Sequence, residues 1–337
     1  MIRLSQTVSC AGCAAKLPPS LLREALKNMP VFDDPNVIVG TNTLDDAGVY
    51  RIGDVFLVQT TDFFPPIIDD PVRFGEVAAC NALSDVYAMG GKPLTALNIL
   101  GFPSTLSPDI LGAILAGAAN KVREAGGATV GGHSIRSPEL FFGLAVTGTV
   151  DGTHILTNTA AHDGDALVLT KMLGTGIMTT ARKNDTISDD DLTEAITSMT
   201  TLNARAAELA IAHNAHAATD VTGFSLLGHA MQFAQASKVD ITFDVGAIPL
   251  LANVHALAAA GVKTGAAARN LEYVKNAVAF GESIDAATRD ILVDPQTSGG
   301  LLIAMKRKDA EAFVRDYGTP AAIIGTVRSG AGIIYVR

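Results

Sequence analysis

Short apolar runs, each stopped by a tight-turn or helix-start signal, constrain the fold of this chain most. Val37-Ile38-Val39, Gly48 to Ile52 and Val55 to Gln59 have the length and β-branched content of strands. Gly53-Asp54 between the last two is a hairpin signal. Asp70-Pro71 opens a helix that runs to about Met89 and stops at Gly90-Gly91 and Pro93. Proline just inside the start and glycine just past the end fit helix capping. A strand near 94–100, a helix near 107–124 and an apolar strand over 140–150 follow. Ala128-Thr129-Val130 leads into Gly131-Gly132-His133-Ser134, which reads as a turn offering backbone N–H groups. Leu21, Leu22, Ala25 and Leu26 predict a helix over 20–29.

The second half starts near Asp163-Gly164-Asp165. It carries strands near 166–170, 239–244, 300–305, 320–327 and 332–336, with helices near 174–183, 188–212 and 223–236. Antiparallel hairpins outnumber clean strand–helix–strand crossovers. That favours two α+β layered domains over a doubly wound sheet. The boundary falls at about residue 155, giving units 1–155 and 156–337, and there is no short-period repeat or low-complexity segment.

Composition narrows the function. A chain of 337 residues, 48% hydrophobic and 18% charged, can bury two sizeable cores. A net charge of −9 with no Lys/Arg cluster argues against a broad nucleic-acid surface. The 32 glycines suit tight turns and close backbone approaches, as α/β nucleotide enzymes need. Three cysteines do not make a disulfide framework, and the start of the chain has no signal-peptide apolar stretch. The cysteine usage points to a reducing cytoplasm, and no apolar run approaches membrane-spanning length.

Asp46, Asp62, Asp85 and Asp220 stand where apolar segments break into polar turns or helix faces, Asp62 closing the strand over 56–61. Each alone reads equally well as a cap or turn residue. As a set, carboxylates beside so much Val, Leu, Ile and Ala are costly to bury without a cation or strong hydrogen bonds. Hard oxygen ligands suit Mg²⁺, which keeps waters and shares its shell with phosphates. Asn81 and Asp85 are four residues apart and share a helix face, and Pro65-Pro66 can bring Asp62 close to it. No GxxxxGK[ST] and no GxGxxG with a placed acid occurs, so nucleotide phosphates would be held through metal ions and glycine-rich turns.

Ser9-Cys10-Ala11-Gly12-Cys13-Ala14-Ala15-Lys16 is a small-residue arm, expected to be mobile, in which Lys16 favours the Cys13 thiolate. Cys10 and Cys13 form a CxxC that reads as a catalytic thiol, a redox dithiol or half a zinc site. Cys80, mid-helix among apolar neighbours, reads as an inert core residue.

Taken together, Ala11 to Lys16, Thr43 to Tyr50, Thr60 to Phe64, Asn81 to Pro93, Gly131 to Ser134, Thr219 to Phe224 and Asp294 to Gly300 resemble the selenophosphate synthetase (selenide, water dikinase) family. The likeness runs in order from about Ile2 to the C-terminus. Several of these motifs belong to the wider aminoimidazole ribonucleotide synthetase superfamily, and the Gly-Cys…Lys arm is what narrows it. The resemblance implies an enzyme making selenophosphate from selenide, ATP and water, with AMP and orthophosphate released. It implies an N-terminal α+β domain that dimerises through its strands, a C-terminal α+β domain, and Mg²⁺ with ATP. Carried over, Cys13 handles selenium and Lys16 meets the transferring phosphate. Asp46, Asp85 and Asp220 match Mg²⁺ ligands, and Asp62 borders metal and nucleotide. Thr43, Leu44, Asp45, Gly132, His133 and Ser134 match nucleotide-contacting positions, the last three from across the dimer.

Two positions depart from the pattern. Ala15 stands where many relatives have a second cysteine, which leaves the role of Cys10 open. Ser225 stands where relatives often have glycine, and reads as a packing change. The rival readings are a related kinase or dehydratase such as thiamine-monophosphate kinase, a non-catalytic thiol or metal binder, and a structural homodimer. The first of these should lack Cys13 and Lys16 in a glycine-rich arm.

Overall fold

Two mixed sheets organise the chain, each with its helices. The structure, a computed structural model, describes residues 2–8, 11–17, 21, 24, 25, 27, 34–41 and 45–337. Cys10, Thr43, Leu44, the side chain of Cys13 and most of the helix expected over 20–29 lie outside the described residues.

The first sheet has six strands: β1 (Val37–Val39), β2 (Gly48–Ile52), β3 (Val55–Phe64), β4 (Lys92–Phe102), β5 (Ala128–Arg136) and β6 (Phe141–Val150). Their order is β1-β2-β3-β6-β4-β5, antiparallel except for β4 beside β5. That parallel pair needs a crossover. Helix α2 (Pro108–Glu124) supplies it, packed on α1 (Pro71–Ala88). The α1 start is the one the sequence predicts: the Asp70 carboxylate accepts the Arg73 N–H at 2.8 Å and Pro71 opens the first turn. Beneath α1, Phe64, Phe74 and Phe142 meet edge-on at 6.1 and 6.4 Å. Each such ring, fully buried, contributes roughly 1.5–3 kcal/mol.

The second sheet runs β10 (Val278–Phe280), β13 (Ile334–Val336), β9 (Val239–Phe243), β12 (Ala322–Ser329), β7 (Asp165–Leu169), β11 (Leu301–Lys306), β8 (Ala217–Asp220). Helices α3 (Thr175–Lys183), α4 (Thr193–Thr200), α5 (Ala204–Ala212), α6 (Ser225–Ser237), α7 (Val254–Ala259), α8 (Ala267–Val274), α9 (Ala286–Leu292) and α10 (Arg307–Tyr317) accompany it. Strands β7 and β8 are buried at every residue, so this sheet is covered on both faces. The α+β architecture is the one expected. Among the described residues no helix is long and apolar enough to cross a membrane.

Three local expectations are corrected. Strand β3 does not end at Asp62 but continues to Phe64, carrying Asp62 within it. Gly131 to Ser134 is not a turn: all four lie in β5, paired with β4 around a register shift. The helix over 188–212 is broken at Thr201–Asn203. There the Asn203 amide is drawn inward, donating to Ser84 Oγ and to the Gly299 carbonyl, both at 2.8 Å.

Candidate active site

The two halves meet over the acidic residues. Asp62 comes from β3, Asn81, Ser84 and Asp85 from one face of α1, Asp46 from the turn before β2, and Asp220 from the end of β8. Asp46 Oδ1 accepts the Thr219 hydroxyl at 3.0 Å, which joins the N-terminal turn to β8. Asn81 does the same from the helix: its Nδ2 donates to Asp62 Oδ2 at 2.6 Å and its Oδ1 accepts the Ser298 N–H at 2.8 Å. The Thr60 hydroxyl donates to Asp85, and the Ser84 hydroxyl supports Asp220 while accepting from Asn203.

Charge crowds this crevice. Burial, then repulsion from Asp220, holds the Asp46 carboxyl well above the usual carboxylate range. Burial, then Asp220 and Asp62, does the same to Asp85. Burial pushes Asp220 up to about 6 against the Ser84 hydrogen bond and the Lys16 charge. Both Asp46 and Asp220 have a sealed Oδ2 without a hydrogen-bond partner among the described residues. Buried carboxylate oxygens without donors are expensive, and a divalent cation relieves both the repulsion and the missing contacts. This donor set therefore fits Mg²⁺.

Sequence reasoning missed His229. Its ring, on α6, is buried, with Nε2 3.1 Å from Thr222 Oγ1. Its ligand nitrogen and oxygens of Asp46 and Asp220 all lie within 4.8 Å of one another. Burial, then the Lys16 charge, pushes the imidazole down to about 3, so it stays a neutral lone-pair donor. The available signal was a histidine in an otherwise apolar helix face nine residues past Asp220.

Lys16 reaches the same crevice, 3.3 Å from Asp62 Oδ1. Described residues on and just before the small-residue arm contact the body of the protein. Arg3 pairs with Asp69 and Asp185, each at 2.9 Å, and Ser5 N–H and Oγ both donate to Asp69 Oδ1. Lys183 Nζ donates to the Val8 carbonyl at 3.2 Å, and the Gly12 N–H to that of Pro65 at 2.9 Å. Gly12 has φ +57°, and a Cβ there would sit 2.2 Å from Ile67 Cγ2, so only glycine lets the arm lie this close.

The structure does not bring every expected residue to the crevice. Asp45 is near enough to Asp46 to repel its carboxyl, and also accepts the Asn158 N–H at 2.6 Å from the connection between the sheets. Gly132, His133 and Ser134 are exposed on the edge strand. Asp62 is in register with Leu144, Leu144 with Asn98, and Asn98 with Gly132, three strand spacings or about 14 Å away. Cys80 is the core residue expected: its Sγ donates to the Thr200 carbonyl at 3.2 Å, and burial pushes the thiol up to about 12.

Residues 44–150 match the AIR synthase related protein, N-terminal domain, and residues 162–336 the matching C-terminal domain. Fold and crevice thus define a two-domain protein of the AIR synthase-related class. Thiamine-monophosphate kinase from Stenotrophomonas maltophilia K279a shares that fold, with a TM-score of 0.66 over 96% of each chain at 20% identity. Sequence similarity is closer elsewhere. The selenide, water dikinase of Clostridium botulinum (strain Eklund 17B / Type B) is 44% identical over 97% of this chain and 96% of its own length. That of Geobacter metallireducens is 47% identical over 97% of each. The chain belongs to the selenide, water dikinase family, and is an enzyme of that kind.

Proposed function

We propose that this enzyme makes selenophosphate from selenide, ATP and water through the crevice between the two sheets. One phosphorus–selenium bond forms, water takes the other phosphoryl group as orthophosphate, and AMP remains. The observation that carries this reading is the convergence of Asp46, Asp62, Asp85 and Asp220 with Lys16 in one crevice.

In this reading Asp46, Asp85 and Asp220 hold Mg²⁺, and Asp62 borders metal and nucleotide. The bound ion supplies charge neutralisation at the triphosphate oxygens. The protein's own residues do the rest. Selenide is an anion at neutral pH and must approach an anionic phosphate. Lys16, now paired with Asp62, is the cation placed to screen that repulsion. Cys13, three residues before it on the arm, handles the selenium. The arm's contacts with Asp69, Pro65 and Lys183 keep bulk water from one side of the crevice, so that transfer outruns hydrolysis. Thr43, Leu44 and Asp45 contact the nucleotide.

Gly132, His133 and Ser134 serve the site of a second copy. Support comes from the first sheet, where Ile52, Val55, Phe63, Leu97, Val130 and Ile135 are exposed and β5 is open along its whole length. An exposed apolar edge of this kind is normally covered. We therefore read the enzyme as a homodimer of two-domain chains dividing near residue 155, working in the cytoplasm.

Phosphorus NMR of the enzyme with ATP, Mg²⁺ and selenide tests the reading. Selenide-dependent AMP and a new phosphorus–selenium signal are expected. Lys16→Ala should lower turnover by roughly a hundredfold or more. ADP as end product, or full turnover in the Lys16 variant, would overturn it.

A further inference from the structure

A second cluster of ligand atoms lies at the opposite end of the C-terminal sheet. Asp165 opens β7, and His216 immediately precedes β8. His162 stands three residues before Asp165 in the connection between the sheets. His216 is four strand residues from Asp220, about 13 Å along β8. This cluster is therefore separate from the acidic crevice.

The donors are close and few protons serve them. His162 Nδ1 is 3.1 Å from His216 Nδ1, and His216 Nδ1 is 3.0 and 2.9 Å from Asp165 Oδ1 and Oδ2. A single hydrogen between the two Nδ1 atoms, whichever ring carries it, cannot satisfy both the imidazole–imidazole and the imidazole–carboxylate contact. Ligand atoms of all three residues lie within 4.8 Å of one another. Adjacent ligands bound at 2.0–2.1 Å are about 3.0 Å apart in octahedral and about 3.3 Å apart in tetrahedral geometry. The observed spacings are already of that size.

The frame is fixed before any ion arrives. Asp165 is buried, and its Oδ2 accepts the His162 N–H at 2.9 Å. The Gly164 N–H donates to Val327, Ser329 N–H to Asp163 and His216 N–H to Ala304, which pins the turn and the strand start to β12 and β11. His162 is exposed, so water can complete the shell.

We propose that His162, Asp165 and His216 form a binding site for a divalent first-row transition ion of the Zn²⁺ class. Two imidazoles and one carboxylate suit such an ion better than Mg²⁺, which prefers oxygen alone. Binding ties the connection, whose Asn158 touches Asp45, to the C-terminal sheet.

The test is Zn²⁺ equilibrium dialysis of full-length protein in excess Mg²⁺. A Cys10→Ser, Cys13→Ser background removes the arm's thiols, and His162→Ala is then added to it. His162 is exposed, so the substitution should leave the fold intact, which circular dichroism checks. The Cys10→Ser, Cys13→Ser background should bind one more Zn²⁺ than the same protein carrying His162→Ala, or bind it at least about tenfold tighter. Zn²⁺ should also raise the melting temperature further while His162 is present than after its removal. Equal uptake and equal melting shifts with and without His162 would overturn the site. Should His162→Ala perturb the fold, ¹⁵N NMR of the histidine rings on unmutated protein decides. Direct Zn²⁺ shifts at the Nδ1 of both His162 and His216 support the site, and unmoved signals refute it.

Discussion

Ser225 carries the clearest local strain in the crevice wall. It is fully buried at the start of α6 with φ +69°, in the left-handed region that a side chain avoids. Sequence suggested a packing change where relatives often have glycine, but the backbone angle is the physical issue. A non-glycine residue there costs roughly 1–2 kcal/mol, of which glycine's extra freedom in the unfolded chain returns about 0.5–1. Ser225→Gly should therefore raise stability by about 0.5–1 kcal/mol, read as a higher urea midpoint at unchanged slope. Lys171 offers a pH test. Its buried Nζ donates to the Thr201 and Ser298 carbonyls at 2.7 and 2.9 Å, and burial pushes the ammonium down to about 8. The unfolded chain keeps that proton up to its ordinary value of 10.5 while the folded protein has already released it. Stability from this group is therefore flat below about pH 8, rises between 8 and 10.5, and is flat above. The wild type should gain roughly 3 kcal/mol over Lys171→Met across that window. Parallel denaturation curves at each pH would contradict it. Neither residue's state was legible from sequence, because a left-handed angle and a buried ammonium are both imposed by distant segments.

Helix α1, which bears Asn81 and Asp85, is held by α2, and the two touch through glycine. A Cβ at Gly75 would lie 2.0 Å from the Ile114 carbonyl oxygen, and one at Gly117 2.1 Å from that of Val72. Backbone cannot yield as a flexible side chain can. Gly117→Ala should cost about 1–3 kcal/mol net, even though alanine favours a helix by about 1 kcal/mol. Gly112, exposed on α2 with nothing within 4 Å, is the control: Gly112→Ala should stabilise by about 0.5–1 kcal/mol. Thermal unfolding of the two variants, moving in opposite directions, checks the pair. The limits of α1 were readable because Asp70, Pro71 and Gly90 act within a turn of the helix end. The break between α4 and α5 was not, since it comes from Asn203 reaching Ser84 and Gly299, both far along the chain. Gly131-Gly132 misled for a related reason. In β5 these glycines serve a register shift and a close approach to Asn98, whose oxygen would be 2.4 Å from a Cβ at Gly132. Local punctuation shows that glycine is needed, not whether a turn or a neighbouring strand needs it. The aspartates were found as a set because carboxylates among apolar runs need a common explanation. His229 escaped because one histidine on an apolar helix has an ordinary explanation of its own.

At the scale of the whole molecule, one chain leaves its expected nucleotide residues in two places. Asp62, Asp85 and Lys16 meet in the crevice, while Gly132 to Ser134 are three strands away on an open edge. In the homodimer proposed above, each site takes Lys16 from one chain and His133 from the other. Lesions in Lys16 and His133 should consequently complement. Mixed in equal amounts after dissociation, Lys16→Ala and His133→Ala chains form heterodimers as half of the population. In each heterodimer both lesions fall in one site and the other is intact, so about a quarter of wild-type activity should return. Single-variant homodimers prepared the same way should stay low. If His133 instead acted within its own chain, every site of the heterodimer would carry one lesion and no activity would return. Selenide-dependent AMP formation after mixing separates the two arrangements, because a merely structural loss at either position cannot be repaired by a partner damaged elsewhere.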